Sequence, residues 1–313
     1  MIRSYTPDDE SAMLSLWNTA GAVMGYAPVP LEDFHRLLTR HPNFSPAYTF
    51  VLEEKGTLLG FVNGCTGAGI PKGDIRGYLS CLILAAEADS DENTALLLSA
   101  LENAFRKAGK TYCAVTFFNP IRLPWILPGT PGHQHNNAPG VATDLPLHDR
   151  MLSLGYREST RECAMYRNLA DYETPAWVEE KAAKMAGEGY RVERYDPDRH
   201  VGLEEMVAAL DNTMWSEEIP AAGKSGMDLL VGLKGNVCAG FTGRGYFAGL
   251  GVAPQFEGHG LGTLLFYRLL EREKQAGAKY MSLFTGEDNH ARFIYLNAGF
   301  RVVRTFGVML KEL

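Results

Sequence analysis

The stretch Ala253-Pro254-Gln255-Phe256-Glu257-Gly258-His259-Gly260-Leu261-Gly262-Thr263 follows an apolar run, Tyr246 to Val252, and opens a helical one, Leu264 to Gln275. Glycines at alternate positions let the backbone turn tightly and direct successive N–H groups toward one point. At a helix start those amides lack partners within the helix, and the helix dipole favours negative charge there. The chemistry that fits is the holding of a diphosphate. A Gly-x-Gly-x-Gly stretch alone also serves merely to join a strand to a helix. Here Val252-Ala253-Pro254 precedes it at fixed spacing and the helix follows at once.

The elements that position this turn occur twice. Gly77-Tyr78-Leu79 and Ala108-Gly109-Lys110-Thr111-Tyr112 fall on Gly245-Tyr246-Phe247 and Ala276-Gly277-Ala278-Lys279-Tyr280, residue n matching n + 168 without a gap. Between them each copy predicts strand, amphipathic helix (Leu96 to Lys107; Leu264 to Gln275) and strand. Upstream, Phe50 to Gly60 and Leu229 to Gly240 each read as two apolar strands joined by a Lys-Gly turn. Downstream, His148 to Tyr156 matches Arg292 to Phe300, and each copy closes on an alternating strand, Arg161 to Tyr166 and Arg301 to Leu310. The fold expected is α/β: two tandem domains, 1–170 and 171–313, each a mixed, mostly antiparallel sheet flanked by helices. A polar helix, Trp177 to Met185, follows the join.

Composition narrows the setting. The 313 residues are 46% hydrophobic and 21% charged, as in a globular protein with room for two cores. Met1 to Asp9 lacks the apolar run of a signal peptide, and no segment approaches ~18 uninterrupted apolar residues, so a cytoplasmic protein without membrane association is expected. The five cysteines, Cys65, Cys81, Cys113, Cys163 and Cys238, are widely spaced in apolar runs, which predicts reduced buried thiols. No metal set is evident; His133-Gln134-His135 lacks a nearby Cys or acid to complete one. A net charge of −7 disfavours nucleic acid and favours a cationic small molecule.

Val252-Ala253-Pro254 followed by Gly258-His259-Gly260-Leu261-Gly262 resembles the acetyl-CoA signature of the GNAT superfamily of N-acetyltransferases. Asn289-His290-Ala291-Arg292-Phe293-Ile294-Tyr295-Leu296-Asn297-Ala298-Gly299-Phe300 resembles its second signature. The likeness is close over about Tyr190 to Leu313 and extends to the first half in outline. Two such domains in one chain are similar to the mycothiol synthase architecture, with no substrate implied.

The resemblance implies acetyl-CoA as co-substrate, with the amides of Leu250, Gly251 and Val252 along the pantetheine arm. It implies Gly258, His259, Gly260, Leu261, Gly262 and Thr263 around the diphosphate, and Asn289 on the pantetheine or fixing the motif's turn. Tyr295 is placed near the thioester sulfur. The family usually has Arg or Gln just before the first glycine, where this chain has Glu257.

Amide formation from a thioester needs a neutral amine, oxyanion stabilisation and a proton for the departing thiolate. Tyr295 is the expected general acid, although at helical spacing with Phe293 and Leu296 it also suits simple packing. The strand Tyr246 to Gly251 carries no carboxylate. Trp215, Glu217 and Glu218 are expected on the acceptor side, the acids attracting a cationic amine or acting through water. Gly249 and Gly251 would leave room for a bulky acceptor. The expected activity is transfer of acetyl to a primary amine of a small molecule by direct attack; the alternative is an acyl-CoA sensor with little turnover. Oligomeric state is not legible.

The first copy serves as an internal control. Gly258, Gly260 and Gly262 correspond to Ser90, Glu92 and Thr94, and Tyr295 to Met151. Acids in the turn and a thioether for the phenol predict a domain that keeps the fold without a CoA site. Its long Pro- and Gly-rich loop, Asn119 to Pro146, holds Trp125, His133 and His135 and is expected as a substrate cover, a surface ornament or a dimer contact.

Overall fold

The computed structural model describes the whole chain except Pro128, residues 131–133 and 244–248, and the side chains of Gln134, Thr213 and Met214. His133 and the beginning of the expected strand from Tyr246 therefore lie outside the described residues. The chain forms two compact units. One comprises Met1–Met165, Leu283–Arg292 and Arg301–Leu313; the other comprises Tyr166–Ser282 and Phe293–Phe300.

The first unit begins with β1 (Ile2–Ser4), α1 (Glu10–Leu16), α2 (Ala22–Met24) and α3 (Leu31–Phe34). The hairpin β2 (Thr49–Glu54) and β3 (Thr57–Cys65) follows, turning on Lys55 and Gly56, both at positive φ. Next come β4 (Arg76–Leu84), α4 (Asp91–Lys107) and β5 (Tyr112–Val115). Leu97, Leu98, Leu101 and Phe105 of α4 are buried, the stripe of an amphipathic helix lying on a sheet. Gly77 of β4 is there because a Cβ would clash with the Phe105 ring. β4 and β5 pair in parallel only at Arg76–Tyr78 against Tyr112–Ala114.

The long loop is built into this unit. It contains β6 (Trp125–Ile126), paired with β7 (Gln134–His135), and β8 (Val141–Ala142). Trp125 is buried, stacked on His135 and Phe284, with its indole N–H donated to the Asn137 carbonyl. α5 (Pro146–Ser153) and β9 (Arg157–Asn168) complete the first copy.

The second unit contains α6 (Ala176–Gly187), β10 (Tyr190–Arg194), α7 (Leu203–Ala208), α8 (Thr213–Lys224), β11 (Leu230–Lys234), β12 (Val237–Gly243), β13 (Gly249–Val252) and α9 (Leu261–Gln275). The order β10-β11-β12-β13 is an antiparallel meander. On α9, Leu261, Leu264, Leu265, Leu269 and Leu270 are buried, and Leu261 packs where Gly232 of β11 has no side chain.

The last elements are β14 (Tyr280–Gly286), α10 (Ala291–Asn297) and β15 (Arg301–Glu312). The repeat places β15 in the second copy, yet it joins the nine-stranded sheet of the first unit, whose order is β1-β2-β3-β4-β5-β15-β9-β14 with β8 also on β15. Met309 to Glu312 pair antiparallel with Val115 to Tyr112. Met309 is fully buried, and Lys311 Nζ donates to both oxygens of the buried Glu102 at 2.9 and 2.7 Å. Glu102 also accepts from Tyr156 OH at 3.0 Å and pairs with Arg106 at 3.5 Å, so Lys311 ties β15 into an existing buried polar cluster. All five cysteines are buried and unbridged.

Candidate active site

β13 is the last strand of its sheet among the described residues. Opposite it on β12 lie Gly240 to Gly243, in the register Gly240↔Val252 and Phe241↔Gly251, and Ala253 N donates to Ala239 O at 2.9 Å. Hydrogen-bonding residues alternate along an antiparallel ladder. Gly251 therefore shares the bonds to β12, while Leu250 and Val252 turn their N–H and C=O groups to the open edge. Of the three residues expected along a pantetheine arm, these two have free backbone groups.

A short 3-10 turn, Pro254–Phe256, leads from β13 to the glycines. Gly258 has φ 80° and Gly260 φ 84°, a region that costs other residues about 1–2 kcal/mol. Gly260 is the N-cap of α9 and brings no side chain to cap it. The first intrahelical bond runs from Leu264 N to Gly260 O, so the amides of Leu261, Gly262 and Thr263 are left open. His259 is exposed, its ring 5.1 Å from that of Tyr190 and its Nδ1 3.9 Å from Glu188 Oε2. Glu257 is exposed.

The corresponding turn of the first unit is closed. Ser90 Oγ caps α4 by accepting from Asn93 N at 3.2 Å. Arg150 of α5 lies across the turn, paired with Asp89 and with Asp91 at 2.8 Å, and reaches Thr94 Oγ1 at 3.5 Å. Position 94 matches Gly262, where a Cβ would instead lie 3.8 Å from Ile294, the residue matching Arg150.

Tyr295 sits on α10, 8% exposed, its ring 4.7 Å from Phe266 and 6.4 Å from Phe300. Burial alone pushes its hydroxyl up to about 12, since the charged phenolate loses water without gaining a partner. Met151, its counterpart, is fully buried core. Asn289 is exposed and local in its bonding: Oδ1 accepts from Ala291 N at 2.9 Å, and its own N–H reaches Gly286 O at 3.0 Å. It fixes the turn at the start of α10.

On α8, Asn212 Oδ1 caps the helix by accepting from Trp215 N at 3.2 Å. Trp215 packs against Gly249 of β13, where a Cβ would be 2.6 Å from its ring; a Cβ at Gly251 would meet Leu210 at 2.6 Å and Phe241 at 2.9 Å before Trp215 at 3.4 Å. The space expected there for an acceptor is filled by the chain's own side chains, the indole held edge-on to Phe241 at 5.1 Å. The two acids differ. Glu217 is exposed, whereas Glu218 is half-buried with Oε2 enclosed and unpartnered among the described residues. No cluster of metal-ligating side chains occurs among the described residues.

One group was not foreseen from the sequence. Lys181 of α6 brings its Nζ against Gly260, close enough that any Cβ there would clash with it. It stands far from both glycine and tyrosine motifs in the chain, so only the packing of α6 on α9 reveals it.

Residues 188–300 match the acetyltransferase (GNAT) family. No curated protein matches the sequence. Among solved structures, the chain is similar to a fungal multi-domain GH3 β-N-acetylglucosaminidase with a GCN5-related glucosamine N-acetyltransferase region. There the identity is 17%, the TM-score 0.67, and the alignment covers 99% of this chain but only 38% of that one. It is similar to a GCN5-related N-acetyltransferase from Sphaerobacter thermophilus at 13% identity and TM-score 0.62, covering 100% and 95%. A tandem GNAT protein from the clavulanic acid biosynthesis pathway aligns at 19% identity and TM-score 0.55, covering 100% and 98%. These identities establish shared fold alone. The match of residues 188–300 to the acetyltransferase (GNAT) family agrees with the geometry of the turn, and the chain shares its fold with a tandem GNAT protein.

Proposed function

We propose that this chain moves the acetyl group of acetyl-CoA to a primary amine of a small molecule by direct attack, in the second copy (171–313). The first copy (1–170) keeps the fold without a CoA site. The observation that carries this reading is the uncapped start of α9 beside the open edge of β13. Leu261, Gly262 and Thr263 offer three amides to a diphosphate, and Leu250 and Val252 offer backbone groups to a pantetheine arm. The opposite arrangement in the first copy, a Ser90 cap and an Arg150 ion pair, supports assigning the cofactor to one copy only.

The amine enters neutral and attacks the thioester carbon; as the carbon–sulfur bond breaks, Tyr295 donates a hydrogen bond to the departing sulfur, and the proton shed by the amine nitrogen completes the CoA thiol. The enclosed, unpaired carboxylate oxygen of Glu218 favours it over Glu217 as the group that draws the acceptor's ammonium. The test is calorimetry with acetyl-CoA followed by thiol release across an amine panel. Binding with CoA release supports transfer, tight binding without release from any amine marks a sensor, and no binding ends the proposal.

A further inference from the structure

We infer that Lys181, which belongs to neither motif, pairs with the CoA diphosphate; this rests on the reading that the α9 turn holds that group. The helix α6 lies antiparallel along α9. Trp177 packs edge-on to Tyr267 at 5.1 Å, and Glu179 clamps Arg268 at 2.6 and 2.9 Å. These contacts hold the helix, and one turn further along Lys181 lies against Gly260, the N-cap of α9.

That position is unfavourable for a cation on its own. The amides of Leu261, Gly262 and Thr263 and the helix dipole present positive charge, which belongs with an anion rather than an ammonium. Lys181 makes no ion pair or hydrogen bond among the described residues, although its neighbours Glu179 and Arg268 are paired. Three open amides and one unpaired ammonium of a half-buried side chain thus converge on one point. An anion between them removes the repulsion and adds a charge-assisted bond. The same residue supplies the positive charge missing from the turn itself, where Glu257 stands. It also gives Gly260 a second reason to be glycine, because a side chain there would displace the ammonium.

The experiment is calorimetric titration of the full chain with CoA, comparing wild type with Lys181→Met, Lys181→Arg and Lys184→Met at two salt concentrations. Lys184, exposed on the same helix, controls for net charge. The expected result is CoA affinity weakened roughly tenfold or more in Lys181→Met, with a flatter salt dependence, near-wild-type binding in Lys181→Arg, and no effect at Lys184. Wild-type binding with Lys181→Met unchanged, or equal losses at both lysines, overturns the role of Lys181 and leaves the CoA site standing. Absence of CoA binding by wild type overturns both.

Discussion

Tyr295→Phe removes one oxygen and keeps the ring that packs on Phe266 and Phe300, so its effect on rate can be worked out beforehand. With its pKa pushed up to about 12, the phenol stays protonated wherever an amine is neutral and reactive. Full transfer to a thiolate of ordinary basicity, about 8.5, would run uphill by roughly 5 kcal/mol at about 1.36 kcal/mol per pKa unit. The phenol's share is therefore a hydrogen bond to the charged sulfur, with the amine's own proton completing the thiol. Such a bond is worth about 1.5–3 kcal/mol, so kcat with acetyl-CoA should fall roughly 10- to 100-fold while KM for acetyl-CoA holds. The assay is thiol release under saturating acetyl-CoA across pH. An unchanged kcat refutes the role. A wild-type alkaline limb near pH 10 that disappears in the variant refutes the burial argument, because a phenol at about 12 titrates later.

Gly260→Ala forces φ 84° on a residue with a Cβ and pushes into Lys181; a loss of about 1–2 kcal/mol in chemical denaturation is expected, together with weaker CoA binding. Arg150→Ala frees Asp89 and Asp91 and should lower stability by about 1 kcal/mol or less, with KM for acetyl-CoA unchanged, as steady-state kinetics would show. Glu218→Gln should raise KM for the amine and leave that for acetyl-CoA alone, while Glu217→Gln changes neither. The folded-state pKa of Tyr295 lies above the unfolded value, so its contribution to stability is complete below pH 10 and is lost as pH rises to about 12. Urea unfolding of Tyr295→Phe should accordingly show a shallower decline than wild type over that interval.

What the sequence showed depended on how local the cause was. The glycine turn was legible because positive φ and a helix start are properties of adjacent residues, and Gly258 and Gly260 adopt that conformation. The helices were legible by their apolar period, though α4 and α9 begin earlier than that period indicates, at Asp91 and Leu261, because their N-caps Ser90 and Gly260 set the start. Asn289 had two expected roles; its Oδ1 accepts from Ala291 N at the start of α10. Long-range packing was not legible. Gly249 and Gly251 looked like space for a ligand, but Trp215 packs against the first, and Leu210 and Phe241 against the second. β15 reads as a strand, yet its pairing with β5, where Lys311 meets Glu102, joins residues far apart in sequence, which periodicity does not encode.

The two copies also separate what the fold requires from what the cofactor requires. Both have a strand, a turn and a buried amphipathic helix, so the helix start is structural in each; they differ in how its amides are satisfied. In the first copy a hydroxyl caps the helix, and an arginine neutralises the acids beside it, leaving no demand for an outside anion. In the second, the cap residue lacks a side chain, the position matching that arginine is Ile294, and the nearby ammonium is that of Lys181 from α6. An arginine already paired to aspartates competes with a ligand, whereas an unpaired lysine recruits one. Adding glycines to the first turn would therefore not create a CoA site while Arg150 and its aspartates still neutralise each other. If Lys181 pairs with the diphosphate as proposed, the identity of the counter-ion, more than the glycines, determines which copy takes the cofactor.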